Sequence, residues 1–291
     1  MQTLASKQGA GSAEGAPAGD RRPLLARANV YKVGIQVAAP IAAMLLLLVL
    51  WQVIVVGGHV PDYILPAPSS FLPAIGKNWS QLWSATVITG EEAIVGFLIA
   101  IAFSIPLALL LASIRVVRDM VYPLVVFFQL VPKIAVAPLL IVWFGANKMS
   151  VIVLTWALCF FPILVNSMAG FMAIDQQQLY ITKSMGASRW QTFRYLRLQS
   201  ALPYIFAGLR IAVVLAVVGV IVGEFVGSNA GLGYIIEASS GILNTSLIFA
   251  DLVVLTVLGL VLNYIVVGAE WLLMPWKRKV RRSLWLWART P

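Results

Sequence analysis

The stretch Asp175-Gln-Gln-Gln-Leu-Tyr-Ile-Thr-Lys-Ser-Met-Gly186-Ala-Ser-Arg-Trp-Gln-Thr-Phe-Arg-Tyr-Leu-Arg-Leu-Gln-Ser-Ala-Leu-Pro203 lies between two long apolar runs and is unlike either. Its basic residues are Lys183, Arg189, Arg194 and Arg197, and its apolar ones recur at helical intervals: Ile181 and Met185, then, past Gly186, Trp190, Phe193 and Leu196. That spacing, with the basic residues largely on other faces, predicts two short amphipathic helices around a glycine. Gly186 suits a turn whose backbone conformation is closed to other residues, Ser188 suits the cap of the following helix, and Pro203 suits the first turn of the next span. Nothing else between residues 35 and 275 combines this length, charge and pattern, so this is the segment for a soluble partner to grip. An amphipathic segment lying on the lipid surface is the alternative that the same residues allow.

Around this island the chain is 60% hydrophobic and 11% charged, with apolar runs of membrane length, which defines a polytopic membrane protein. Six spans are expected, at 35–57, 86–113, 119–144, 148–173, 201–227 and 248–275. The net charge of +10 is no sign of nucleic acid, because basic residues of membrane proteins collect in cytoplasmic loops. With the N-terminus in the cytoplasm, 17 of the 21 Lys and Arg residues fall on that side. Both termini and the island are therefore expected to be cytoplasmic.

Residues 1–28, rich in Gly, Ala and Ser, read as a disordered tail, and 276–291 as a basic one, flanking a membrane domain at 29–275 with its loop at 175–200. The first span outruns a signal-peptide core and ends without a small-residue cleavage site, so it is expected to be an uncleaved anchor. One cysteine, Cys159, and one histidine, His59, leave no basis for a thiolate cluster, a metal site or His-based catalysis. No phosphate-binding loop is present, so the chain is expected to bind no cofactor and to lack its own ATPase site.

Gly186-Ala-Ser-Arg-Trp-Gln-Thr-Phe-Arg194, followed by Leu198 and Ala201-Leu-Pro203, resembles the cytoplasmic loop signature of bacterial binding-protein-dependent ABC importer permeases. The order of Leu65-Pro-Ala-Pro68, Pro132 to Gly145, Phe160-Phe-Pro162, Gly208-Leu-Arg210 and Gly231-Leu-Gly233 is similar to the nitrate, sulfonate and taurine class over residues 62–275. Two places depart from the pattern. Tyr180-Ile-Thr182 stands where the family's loop begins Glu-Ala-Ala, with Leu198-Gln199 where it has Leu-Pro, and Glu92 replaces a common arginine. The second departure, with Gln129-Leu-Val-Pro-Lys-Ile-Ala-Val-Ala-Pro-Leu139, looks like the branch that imports the thiamine pyrimidine precursor and riboflavin.

The resemblance implies an all-α fold with six transmembrane helices in the type I ABC importer permease architecture, dimeric in the inner membrane. It implies ATP and Mg on a partner ATPase subunit, and a periplasmic substrate-binding protein. The loop would form the coupling helix, with Tyr180, Lys183, Ser184, Gly186, Ala187, Ser188, Arg189, Trp190, Phe193 and Arg194 meeting the ATPase. A self-contained secondary transporter is the rival. It calls for inverted repeats with paired interrupted helices, and only one interrupted span is evident.

Within the spans, Lys133 follows Pro132 and precedes Pro138 in an otherwise apolar run. A charge there costs at least about 2.5 kcal/mol, so it is expected either to line a pathway with Gln129 or to mark a structural break, snorkelling or pairing with Glu92 or Glu224. Phe160, Phe161 and Asn166 are candidates for facing a planar solute, and Glu224 for lining the route; core packing is the alternative for the aromatic pair. Asp251 and Glu270 are expected at interfaces, and Arg210 is expected to snorkel to the cytoplasmic boundary. The small residues Gly208, Ala212 and Ala216 signal helix packing.

Overall fold

The computed structural model describes residues 22–276. Residues 1–21 and 277–291, which hold most of the expected N-terminal tail and nearly all of the basic C-terminal one, lie outside the described residues. All regular structure among the described residues is helical.

The chain divides into two units, the first ending at Gly58. Its helix α1 (Arg22–Gly57) begins inside the stretch read as tail, and its portion Ala39–Gly57 is long and apolar enough to cross a membrane. The second unit starts at His59. It opens with α2 (Pro68–Lys77), whose first residue is a proline that needs no N–H there. Then come α3 (Trp79–Ser113) and α4 (Arg115–Leu130).

Pro132 sets the next break. The residue before a proline is driven out of the helical region, and Val131 is extended at φ −62°, ψ 128°. The chain re-forms as a 3-10 turn (Lys133–Val136) and α5 (Ala137–Phe144), with Pro138 in its opening turn. The bend between the two arms is 77°, so the expected third span is a broken one.

Asn147 caps α6 (Lys148–Met172) by accepting from the Met149 N–H at 2.8 Å. The island follows as α7 (Gln176–Ser184), α8 (Arg189–Gln191) and a π-helical turn (Thr192–Arg197), which runs straight into α9 (Leu198–Gly227). The short α10 (Leu232–Gly241) and α11 (Thr245–Leu273) complete the unit.

The main core is built from α3, α6 and α9. Lipid tails are as apolar as leucine, so close packing of small residues has to hold such helices together. Along α9, Gly208, Ala212, Ala216, Gly219 and Gly223 are all buried and form one stripe. A Cβ on Gly208 would lie 2.9 Å from Asn166 Cβ, and one on Gly223 would lie 3.1 Å from Val151 Cα. Backbone therefore meets backbone along α6, and the Cys159 thiol donates across the seam to the Ala212 carbonyl at 3.2 Å. By contrast α4 and α5 line the rim, with Met120, Phe127, Leu130, Val142 and Trp143 exposed.

Candidate docking turn and transport pathway

Local hydrogen bonding explains the shape of the island. The Asp175 carboxylate caps α7 by accepting from the Gln177 N–H at 3.0 Å. At the other end the N–H of Gly186 bonds to the Lys183 carbonyl and that of Ala187 to the Thr182 carbonyl, a Schellman ending that requires Gly186 in the left-handed region. Its φ is +75°, and nothing lies within 4 Å of where a Cβ would sit, so conformation alone demands the glycine. Ser188 then opens α8 with a reciprocal cap: its hydroxyl accepts from the Gln191 N–H at 3.2 Å, and the Gln191 side chain accepts from the Ser188 N–H at 2.8 Å.

Two expectations change here. The second island helix is not separate, because helix is continuous from Arg189 to Gly227. Pro203 consequently lies well inside it, not in the first turn of a span.

The turn presents Tyr180, Met185 and Trp190 at 68%, 80% and 69% exposure, beside exposed Lys183, Ser184, Arg189 and Arg194. Ala187 is half-buried, in a shallow recess of about 500 Å³ shared with Met185, Thr192 and Tyr195. Phe193 faces the other way: its ring is 5.6 Å from that of Trp190 and packs against the main core.

The pathway candidates separate into two groups. Lys133 donates to the Gln129 carbonyl at 2.9 Å, and its ammonium stands 4.6 Å from the centre of the Phe161 ring. Phe161 meets Phe160 edge to face at 5.1 Å, and Phe160 is 5.5 Å from Trp156. Next to them a cavity of about 290 Å³ opens between the 3-10 turn, α5 and α6. Gln129, Lys133, Phe160 and Phe161 are thus assembled around the broken span. Trp156 belongs with them and was missed, although it sits one helical turn before Phe160.

Asn166 and Glu224 lie elsewhere. The Asn166 amide donates to the Pro162 carbonyl of its own helix at 2.8 Å. Glu224 is buried and accepts from the Thr89 hydroxyl at 2.7 Å and from the Gly233 N–H at 2.7 Å, while Thr89 accepts from the Leu232 N–H at 2.9 Å. Both oxygens are occupied in tying α10 to α3 and α9, and neither Glu224 nor Glu92 pairs with Lys133 among the described residues.

The charged residues near the span ends have partners or surroundings that the sequence did not name. Asp251 is fully buried. Arg210, still about half exposed, pairs with Glu270 and so joins α9 to α11.

The sequence profile of binding-protein-dependent transport system inner membrane components matches residues 100–279, which include the broken span, the island and α9 to α11. The chain belongs to this family. The permease is 36% identical over 240 residues to a riboflavin transport system permease of Chloroflexus aurantiacus, covering 80% of this chain and 88% of that one. It is 34% identical over 247 residues to a formylaminopyrimidine transport permease of Halalkalibacterium halodurans, covering 84% and 98%. Its fold is similar to a chain of the inward-facing MetNI methionine ABC transporter, with a TM-score of 0.54 at 20% identity over 68% of this chain and 96% of that one. The permease is accordingly a membrane-embedded transport subunit of an ABC importer.

Proposed function

We propose that the permease moves a small heterocyclic solute, of the pyrimidine or flavin kind, through a dimer of two copies of itself, powered by separate ATPase subunits. The observation that carries the coupling part is the rigidly capped turn at Gly186–Ser188, which displays Trp190, Tyr180 and Arg189 to a soluble partner and continues without a break into α9. An ATPase subunit, holding ATP and Mg, grips each turn. On ATP binding the two turns approach and the pathway opens towards a periplasmic binding protein, and hydrolysis resets it. The positive charge at the island supports a cytoplasmic side for the turn and both termini.

The dimer reading is supported by Lys133. A half-buried ammonium in a spanning segment is costly against lipid, and the exposed apolar faces of α4 and α5 flank it. A second copy seated there shields the charge and leaves a route between the subunits. The heterocyclic solute is supported by the likeness to the riboflavin and formylaminopyrimidine permeases.

The test is co-purification of the permease with candidate ATPase and binding proteins, then an ATPase assay in lipid with and without ligand-loaded binding protein. Ligand-stimulated hydrolysis in a stable complex is the expected result. A lone oligomer that moves solute on an ion gradient sinks the proposal.

A further inference from the structure

Two buried carboxyl groups meet where the start of α10 is tied down. Glu92 on α3 and Glu224 on α9 are each only 1% exposed. Their carboxyl groups lie in hydrogen-bonding contact with each other. The donors around them are already spent on one of the two, since the Thr89 hydroxyl and the Gly233 N–H both go to Glu224, at 2.7 Å each. Thr89 has a single O–H, and its oxygen takes the Leu232 N–H. Among the described residues neither oxygen of Glu92 meets an N–H or O–H group, and both are sealed from solvent.

Ionised carboxylates only accept hydrogen bonds. Two of them in contact have nothing to hold them together, and in a dry setting their charges repel strongly. No cation among the described residues offsets this. Lys148, the nearest, is bonded to Glu91 at 3.1 Å, and both of those side chains are more than half exposed. Neither the exposed Glu237 of α10 nor the buried Asp251 of α11 acts on the pair. A divalent metal ion calls for about six or more oxygens at about 2.0–2.6 Å and would part the two groups. A proton is the one ligand that needs no room. Placed on either carboxyl group, it makes that group a donor to the other and removes one of the two charges.

We propose that the Glu92–Glu224 pair is a proton-binding site, and that the single proton it holds locks the start of α10 onto α3 and α9. The site stands on the fold alone, whatever solute is carried. With the proton in place Glu92 braces Glu224, which keeps hold of the Gly233 N–H and the Thr89 hydroxyl. When the proton leaves, two like charges in contact drive the carboxyl groups apart and α10 loses its anchor. Free glutamate ionises near about pH 4.3, so above that an opened α10 has released the proton that the closed form keeps. Opening therefore grows about tenfold per pH unit, the slope of one proton, until the closed pair itself titrates.

The experiment uses the full-length permease in lipid nanodiscs and reads the proton directly, as the infrared C=O stretch of a protonated carboxyl group, which shifts in deuterated water. Spectra are taken at neutral and alkaline pH for the wild type, for Glu92→Gln, and for Asp251→Asn, the last because Asp251 is also buried without a hydrogen-bond partner. The band is expected in the wild type and in Asp251→Asn at neutral pH, and is expected to fade as pH rises. In Glu92→Gln it is expected to be weaker by one carboxyl group, because the amide donates to Glu224 with no proton to lose.

Proteolysis within residues 228–244 gives the second reading. Wild-type cleavage is taken as a ratio to that of Glu92→Gln at each pH, which cancels the pH dependence of the protease, and is expected to climb about tenfold per pH unit. A merely structural Glu92 predicts a constant ratio. Glu224→Gln is expected to be open at every pH, because its amide N–H groups would face one of the two donors. Thermal melts show which variants fold; where one does not, the wild-type band and its loss at alkaline pH are read against the other. No protonated-carboxyl band in Asp251→Asn, a band of unchanged size in folded Glu92→Gln, or a flat cleavage ratio overturns the proposal. So does a stability that follows sodium or potassium concentration in place of pH.

Discussion

Glu224 on α9 and Thr89 on α3 are 135 residues apart in sequence and share a buried hydrogen bond of 2.7 Å. The same carboxylate takes the Gly233 N–H, and the same hydroxyl takes the Leu232 N–H, so two unpaired donors at the start of α10 are satisfied by two neighbouring helices. Glu224→Ala removes both acceptor oxygens and strands the Gly233 N–H and the Thr89 hydroxyl. It is expected to cost about 1–3 kcal/mol per stranded group, with residues 228–244 becoming open to protease in detergent. Unchanged melting and unchanged proteolysis would show that α10 is held by other contacts.

The glycines beside that carboxylate are expected to be as sensitive as the acid itself. A Cβ on Gly231 would lie 2.2 Å from the Glu224 carboxyl group and would also sit on a backbone with φ of +104°; one on Gly233 would lie 2.6 Å from the Ile221 carbonyl. Gly231→Ala and Gly233→Ala should each lower the melting temperature in detergent. Gly241→Ala, in the same helix with nothing within 4 Å, should leave it unchanged or slightly raised. Equal melting for all three variants would refute the packing account.

At the docking turn, stability and coupling should separate. Ser188→Ala loses half of a reciprocal cap and is expected to cost about 1 kcal/mol of local stability. Arg189→Glu changes an exposed side chain and is expected to stay within about 0.5 kcal/mol of the parent, yet to abolish ATPase stimulation by charge reversal at the interface. Wild-type stimulation in Arg189→Glu would remove that residue from the contact.

The stripe on α9 gives a further test. Gly223→Ala places a methyl 3.1 Å from the Val151 Cα, a backbone atom with little freedom to withdraw. Overpacking of this kind costs about 1–3 kcal/mol, to be read from melting temperature and from yield of folded protein. Gly268→Ala, in open space on α11, is the matched control and should behave as wild type.

Much of this molecule was legible because depth follows from counting. Apolar runs gave the spans, Pro132 and Pro138 marked the break, and Gly186 with Ser188 marked the turn, since each rests on short-range backbone chemistry. What stayed hidden was azimuth, the direction in which each helix faces its neighbours. Arg210 and Glu270 are both near span ends, and only the rotation of α9 against α11 makes them partners. Asp251 is near a helix start by count yet buried by packing. Glu224 was read as facing a route because the residues that occupy it, Thr89 and Gly233, lie on other elements. The merger of the island with α9 was hidden too, because a proline and a capping serine suggested a gap that a π-helical turn closes.

The helix from Arg189 to Gly227 spans 39 residues, about 58 Å at 1.5 Å per residue. It carries the docking turn at one end and the Glu224 anchor at the other, with the small-residue stripe lying against α6 in between. Its two departures from regular helix, the π-helical turn and Pro203, both fall at the docking end, leaving the run beyond Pro203 stiff. If the proposed docking turn is pushed by a partner, such a rod is a lever whose fulcrum is the glycine seam. A shove at Arg189 is partly taken up in the soft first turns, and whatever passes them tilts the far tip, carrying the start of α10 with it.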